Sequence, residues 1–171
     1  EQFTVIYQIS DMPALFGEQE IAANAFSVDS TFFKIFPYRV IAGSGRIVRP
    51  RDVVITRSFW KKKLGGKNAI GATFKNTKGN KFTIIGVVDD PDTKTSWMPD
   101  IFMSDELDEF LFFDPIYAML MAPDTDIALL NKKYSKEHPR SKWSTYETVR
   151  YQYLPLKDLY YDKDHGKENK N

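Results

Sequence analysis

The stretch from Ala72 to Val88 constrains the fold more than any other part of the chain. Ala72 to Asn76 and Lys81 to Val88 read as two strands joined by Thr77-Lys78-Gly79-Asn80. That connection is turn chemistry, with Gly79 free to take a positive φ. The second strand, Phe82-Thr83-Ile84-Ile85-Gly86-Val87-Val88, is apolar on both faces towards its end. A strand covered on both faces has neighbours on both sides, so it is expected at the centre of its sheet.

The rest of the chain supplies further strands and short helices. Phe3 to Ile9 is β-branched and aromatic and predicts a strand, broken by Met12-Pro13 before Gly17. Ile21 to Val28, Tyr38 to Ile41, Asp52 to Ile55, Ile101 to Met103, Tyr117 to Met121 and Thr148 to Leu154 are expected strands. Asp29-Ser30 can cap a short helix carrying Phe32, Phe33, Ile35 and Phe36, which Pro37 ends. Thr56 can cap a helix over Arg57 to Leu64, stopped by Gly65-Gly66. Ser104 can cap another through Phe110. Ile127, Leu130 and Tyr134 recur at helical spacing after Pro123-Asp124, with Asp124 and Asp126 at the start and Lys132, Lys133 and Lys136 near the end. That charge order complements the helix dipole. Interleaved helices and strands with a hairpin predict an α+β fold.

Composition excludes several classes. The 171 residues carry 24 Lys and Arg against 23 Asp and Glu, so the net charge of +1 offers no global field for nucleic acid. Cysteine is absent, which removes disulfides, thiolate catalysis and cysteine zinc sites. No apolar run reaches the roughly 18–20 residues of a membrane span. No signal peptide opens the chain, which begins directly in strand-like sequence. The chain therefore reads as an excised piece of something larger.

No residue set stands out as a catalytic, cofactor or metal site. His138 and His165 lack partners at metal-ligand spacing and read as surface histidines. Asp89, Asp90, Asp92 and Asp100 lack the EF-hand pattern and its terminal Glu, and read as a solvated turn. Gly65-Gly66-Lys67 does not have the spacing of a phosphate loop, and Gly43-Ser44-Gly45 is no dinucleotide fingerprint. Lys61, Lys62, Lys63 and Lys67 read as the solvated face of a helix, with Phe59 and Leu64 turned inward. Trp97-Met98, in a loop, is expected to pack on the core. Acidic pairs that a hydrolase could use, Glu18 with Glu20 or Asp105 with Glu106, lie in polar stretches.

Several ordered pieces resemble one family. Val28-Asp29-Ser30-Thr31-Phe32-Phe33-Lys34-Ile35-Phe36 is similar to a V-D-x-x-F-F-x-x-F segment, with Ala42-Gly43 at the turn that follows. Val53-Val54-Ile55-Thr56-Arg57-Ser58 is similar to V-V-I-T-x-S, and Ala69-Ile70-Gly71 to x-I-G. Phe82 to Asp90 resembles F-T-V-x-G-V-V-x-D, and Pro155-Leu156-Lys157-Asp158-Leu159-Tyr160 resembles P-L-x-D-I-Y. Together they resemble the periplasmic core domain of MacB-like, FtsX-like ABC-transporter permeases, in the form common in Bacteroidetes. The sequence departs from that pattern where Leu64-Gly65-Gly66 lacks a Phe, and in the short stretch from Glu1 to Ser27, which implies a reduced amino-terminal part.

The resemblance implies two lobes. Residues 1–27 and 104–161 would form a membrane-proximal, porter-like lobe with a βαβ element crossing through the Ile127 helix. Residues 28–103 would form an inserted, sabre-like α+β lobe. Residues 162–171 would be a polar tail towards a membrane helix, with both chain ends on one side. It implies no enzyme activity and no cofactor in this domain. The implied partners are its own transmembrane helices, a cytoplasmic ATPase, a second permease subunit and an envelope adaptor or lipoprotein, at the inner membrane facing the periplasm. The implied work is coupling ATP hydrolysis to export, lipoprotein extraction or activation of an envelope partner. The rival reading is a stand-alone extracytoplasmic module that senses a peptide or antibiotic.

Overall fold

The computed structural model describes residues 2–91, 98–104, 115–134, 137–139, 148–150 and 152–159. The chain forms two compact units, residues 1–121 and 122–171. The first contains β1 (Gln2–Phe16), β2 (Gln19–Val28), α1 (Phe32–Ile35), β3 (Val40–Gly43), β4 (Asp52–Thr56), α2 (Arg57–Lys63), β5 (Thr73–Lys75), β6 (Lys81–Val88), β7 (Ile101–Ser104) and β8 (Ile116–Leu120). The second contains α3 (Ile127–Tyr134), β9 (Glu137–Pro139), β10 (Thr148–Arg150) and α4 (Leu156–Leu159).

The strands of the first unit form one mixed, eight-stranded sheet in the order β2-β7-β4-β6-β5-β1-β8, with β3 on β6. Because β1 also pairs with β2, the strands β1, β2, β7, β4, β6 and β5 close into a ring. Its thinnest seam is β5 on β1, which meet at Leu15 and Lys75. The expected central strand is there: β6 lies parallel to β4 on one side and antiparallel to β5 and β3 on the other. Its turn uses Gly79 at φ 81°, and Asn76 accepts hydrogen bonds on its side-chain oxygen from the Lys78 and Asn80 amides.

Apolar side chains pack on both faces of this sheet. Ile55, Ile84, Ile101 and Met103 pack with Phe59, Phe74 and Phe82 in one cluster. Val54, Val88, Phe102, Phe26 and Ile6 pack around Phe32 of α1 in the other. Val53, Val54 and Ile55 are all fully buried, so β4 needs apolar side chains at consecutive positions rather than alternate ones. Burying each large side chain of this kind contributes about 1.5–3 kcal/mol before entropy is counted.

Several elements differ from the sequence expectation. β1 does not stop at Met12-Pro13 but continues to Phe16, past a bulge between Ile9 and Met12 with Asp11 at φ 50°. The bulge absorbs the irregularity, and Met12 and Ala14 still enter the core. β3 begins at Val40 because Tyr38 is drawn into the aromatic cluster, 5.0 Å from the Phe102 ring centroid. Ser104 is the last residue of β7, and the helix expected after it, through Phe110, lies outside the described residues. β10 (Thr148–Arg150) pairs with β9, whereas β8 pairs with β1.

β1, β2 and β8 share the large sheet with β4, β6 and β7, because β2 pairs with both β1 and β7. In the second unit, Asp126 rather than Asp124 caps α3, accepting from the Leu129 amide at 2.9 Å. The Asn131 side chain then binds the backbone of Tyr153 through both its N–H and its carbonyl, at 2.9 and 2.7 Å.

β3 crosses β6 at a point where no side chain fits. Ser44 donates its amide to the Ile85 carbonyl at 2.8 Å. A Cβ on Gly86 would run into the Ser44 carbonyl, and one on Gly43, at φ 68°, would run into the Ile85 carbonyl. Both obstacles are backbone, which cannot rotate away. Gly86→Ala is expected to cost about 3 kcal/mol, at the upper end for an overpacked core site, measured as a lower urea midpoint with an unchanged slope.

Candidate functional site

Most residues that could carry chemistry are committed to holding the fold. Asp29 is the densest node. Its carboxylate accepts hydrogen bonds from the Thr4 hydroxyl at 2.8 Å, the Val5 amide at 3.0 Å, and the Thr31 and Phe32 amides at 2.8 and 3.1 Å. It thus ties β1 to the first turn of α1. Burial pushes its pKa up, but these hydrogen bonds, led by the one from the Thr31 side chain, outweigh burial and hold it below the usual carboxylate value. Thr31 turns its hydroxyl to the Phe3 carbonyl at 2.7 Å as well.

A second node closes the other end of the sheet. Asp89, just past β6, pairs with Arg39 and with Arg57 at 3.1 Å. The Arg39 hydrogen bond is the main reason its pKa lies below the usual value. Asp90 accepts from the Ser58 amide at 3.3 Å and from its hydroxyl at 3.0 Å, while Thr56 accepts from the Phe59 amide at 3.4 Å. Two side chains thereby satisfy the first turn of α2. Tyr38 nearby is pushed up to about 12, first by burial and then by the negative charge of Asp90. Its phenol stays protonated at neutral pH.

Among the described residues, the candidates from sequence are not gathered into one site beyond the neighbours Asp89 and Asp90. Asp100 belongs to a third contact: its carboxylate accepts from the Asn24 amide at 2.9 Å, and its own amide donates to the Asn24 carbonyl. Asp89, Asp90 and Asp100 therefore each have a structural partner rather than a solvated turn. Among the described residues no group of His, Asp and Glu is arranged to hold a metal ion. Gly65 and Gly66, at φ 67° and 68°, form the stop after α2, with the Gly66 amide on the Trp60 carbonyl at 3.0 Å. Glu18 and Glu20 are exposed at the β1–β2 turn. Met98 is 53% exposed and does not join the core as expected. Asp92, Trp97, Asp105, Glu106 and His165 lie outside the described residues, as does the side chain of His138 in β9.

Two surface features remain among the described residues. Phe3 and Tyr117, 59% and 57% exposed, stand with Met119 on the β1–β8 ladder. Basic side chains gather at the β5–β6 hairpin. Sequence reasoning missed the Asn131 clamp and the reach of Asp29 to β1. The Asp29-Ser30-Thr31 run signals a local turn, but nothing local signals its partner in β1.

Residues 3–133 match the family described as the MacB-like periplasmic core domain. The chain belongs to that family. It is thus a periplasmic-type domain of an ABC-transporter permease. No curated protein matches it. Its fold is similar to a domain assigned to a permease protein from Porphyromonas gingivalis, with TM-score 0.66, 16% identity, 78% of this chain and 67% of that one covered. It is also similar to the periplasmic region of MacB from Actinobacillus actinomycetemcomitans, with TM-score 0.60, 18% identity, and 79% and 64% covered. The extracellular domain of the noncanonic ABC-type transporter YknZ from Gram-positive bacteria gives TM-score 0.57 and 15% identity, with 78% and 75% covered. The chain spans 64% of that MacB region's length.

The residues that carry the MacB-like sequence pattern are hubs, caps and tight crossings. Asp29, Gly43, Thr56, Gly86 and Asp90 all act on the backbone. No helix among the described residues is long and apolar enough to cross a membrane.

Asp29 sets a pH dependence with a definite sign. Its folded-state pKa is depressed, so its contribution is full above the unfolded value of about 3.9 and is lost as pH falls through the folded value. Asp29→Asn is expected to lower stability by about 1–2 kcal/mol at pH 7 through the weakened cap and strand tie. It should also flatten the fall in stability below about pH 4, as followed by urea titrations at each pH. An unchanged acid limb would show that Asp29 is not the group responsible.

Proposed function

We propose that the chain is the extracytoplasmic domain through which an ABC-transporter permease converts cytoplasmic ATP hydrolysis into work in the envelope. The observation that carries this reading is the family match over residues 3–133. The work would be export of a substrate, extraction of a lipoprotein or activation of an envelope partner. The partners would be the permease's own membrane helices, a cytoplasmic ATPase and a second permease subunit. An envelope adaptor or lipoprotein would meet the domain from outside. On this reading the domain faces the periplasm from the inner membrane, does no chemistry itself, and residues 162–171 lead to the next membrane helix.

The geometry supports a transmitting role. A ring of paired strands with apolar packing on both faces moves as a body rather than deforming. β1 runs from the chain start to Leu15, where the β5–β6 hairpin meets it. That is roughly 40 Å along an extended strand. The β1–β8 end would be membrane-proximal and the Gly79 hairpin distal, so a small tilt at the base is multiplied at the tip.

Two measurements test this. The isolated domain should sediment as a monomer at micromolar concentration, since the membrane helices and ATPases would supply most dimer contacts; a tight dimer would contradict that part. In the full-length permease, a spin label at Thr77→Cys in each subunit should show an inter-subunit distance that shifts on the order of 5 Å or more between nucleotide-free and ATP-bound states, a scale typical of switching transitions. Identical distance distributions in both states would count decisively against coupling through this domain.

A further inference from the structure

Charge is unevenly placed in the first unit although the whole chain carries only +1. Lys75 and Lys81 are direct cross-strand neighbours on β5 and β6. Lys78 lies in the turn between them. Arg51 lies across β6, its guanidinium 5.9 Å from the Phe82 ring centroid, on the face of the strand opposite Lys81. All of these basic residues are exposed. The ion pairs among the described residues are those of Asp89 with Arg39 and Arg57, and neither involves this group.

Like charges directly opposite each other destabilise a strand pair, and a Glu at either position would turn the same contact favourable. Where a sequence breaks a local rule without a local gain, the reason is more often function than stability. Next to the lysines is an open groove between the β1–β2 turn and the hairpin, lined by Leu15, Thr73, Lys75 and Lys81. Leu15 is half-buried there, directly across from Lys75, with Glu20 beyond it on β2. No ion pair joins Glu20 to Lys75 among the described residues.

The geometry points to the β5–β6 hairpin end as a docking surface for an acidic, extended polypeptide segment of a partner protein. Carboxylates of that segment neutralise Lys75, Lys78 and Lys81, and an apolar side chain rests on Leu15 in the groove. An open groove bordered by Lys75 and Lys81, with Leu15 half-buried in it, suits a chain better than a bilayer, which needs apolar groups that protrude. The inference rests on the placement of these charges and not on the permease reading, so either can fail alone.

The test uses the 171-residue chain and a fluorescein-labelled peptide, (Glu-Leu-Glu-Gly)3, followed by fluorescence anisotropy. The peptide is expected to bind, with an affinity that falls as salt rises. Lys75→Glu should weaken binding roughly tenfold, the scale of one lost charge-assisted contact, while raising the melting temperature by replacing a repulsive cross-strand pair with an attractive one. Lys62→Glu on α2 makes the same change in net charge and should leave binding within about twofold, as screening predicts for a distant surface charge. The proposal is overturned if the peptide does not bind, if Lys75→Glu binds like the parent, or if Lys62→Glu weakens binding equally. It is also overturned if phosphatidylglycerol vesicles bind through Lys75 and Lys81 more tightly than the peptide does.

Discussion

The close crossing of β3 over β6 is the constraint on which the first unit depends. β6 is shared by β4, β5 and β3, and such sharing requires one point where two backbones nearly touch. Gly86 and Gly43 make that point possible because neither brings a Cβ into the other strand's carbonyl. β3 pairs along the edge of β6 beyond β5, while Val87 and Val88 are buried in the clusters on the two faces. The apolar run of β6 thus takes β3 as a neighbour because glycines stand where the two backbones meet.

Carboxylates then fasten the elements to that sheet. Asp29 holds α1 against β1, Asp90 holds the first turn of α2, and Asp89 gathers Arg39 and Arg57 beyond the end of β6. Each of these groups accepts from backbone amides or pairs with a guanidinium, so each is spent on structure. No buried side-chain nitrogen or oxygen among the described residues is left without a partner. Satisfied in this way, these carboxylates serve as caps and ties between elements.

The proposed docking surface fits that picture by contrast. The hairpin end is where charge is left uncompensated, while the ends of β4 and β6 near Asp89 and Asp90 are compensated. The satisfied carboxylates hold elements together, and the opposed lysines at Lys75 and Lys81 are charge left over for a partner on the proposed reading.

Much of this was legible in the residues because its causes are local. The Gly79 turn, the apolar run of β6, the Thr56 cap and the stop at Gly65-Gly66 each depend on neighbours within a few positions, where sequence and geometry are tightly linked. The family pattern was legible for the same reason, since its pieces are caps, turns and buried strands. Other features depend on partners far along the chain. Whether β1 survives Met12-Pro13 is settled by the bulge and by pairing with β2 on the far side of it. Whether β2 lies beside β7, whether β10 joins β8 or β9, and whether Asp29 reaches Val5 are choices among distant segments. Residue types and spacing determined which segments could be strands, caps and turns. Only the tertiary structure decided which strands became neighbours, because pairing is settled by the joint burial of surfaces that no single segment carries.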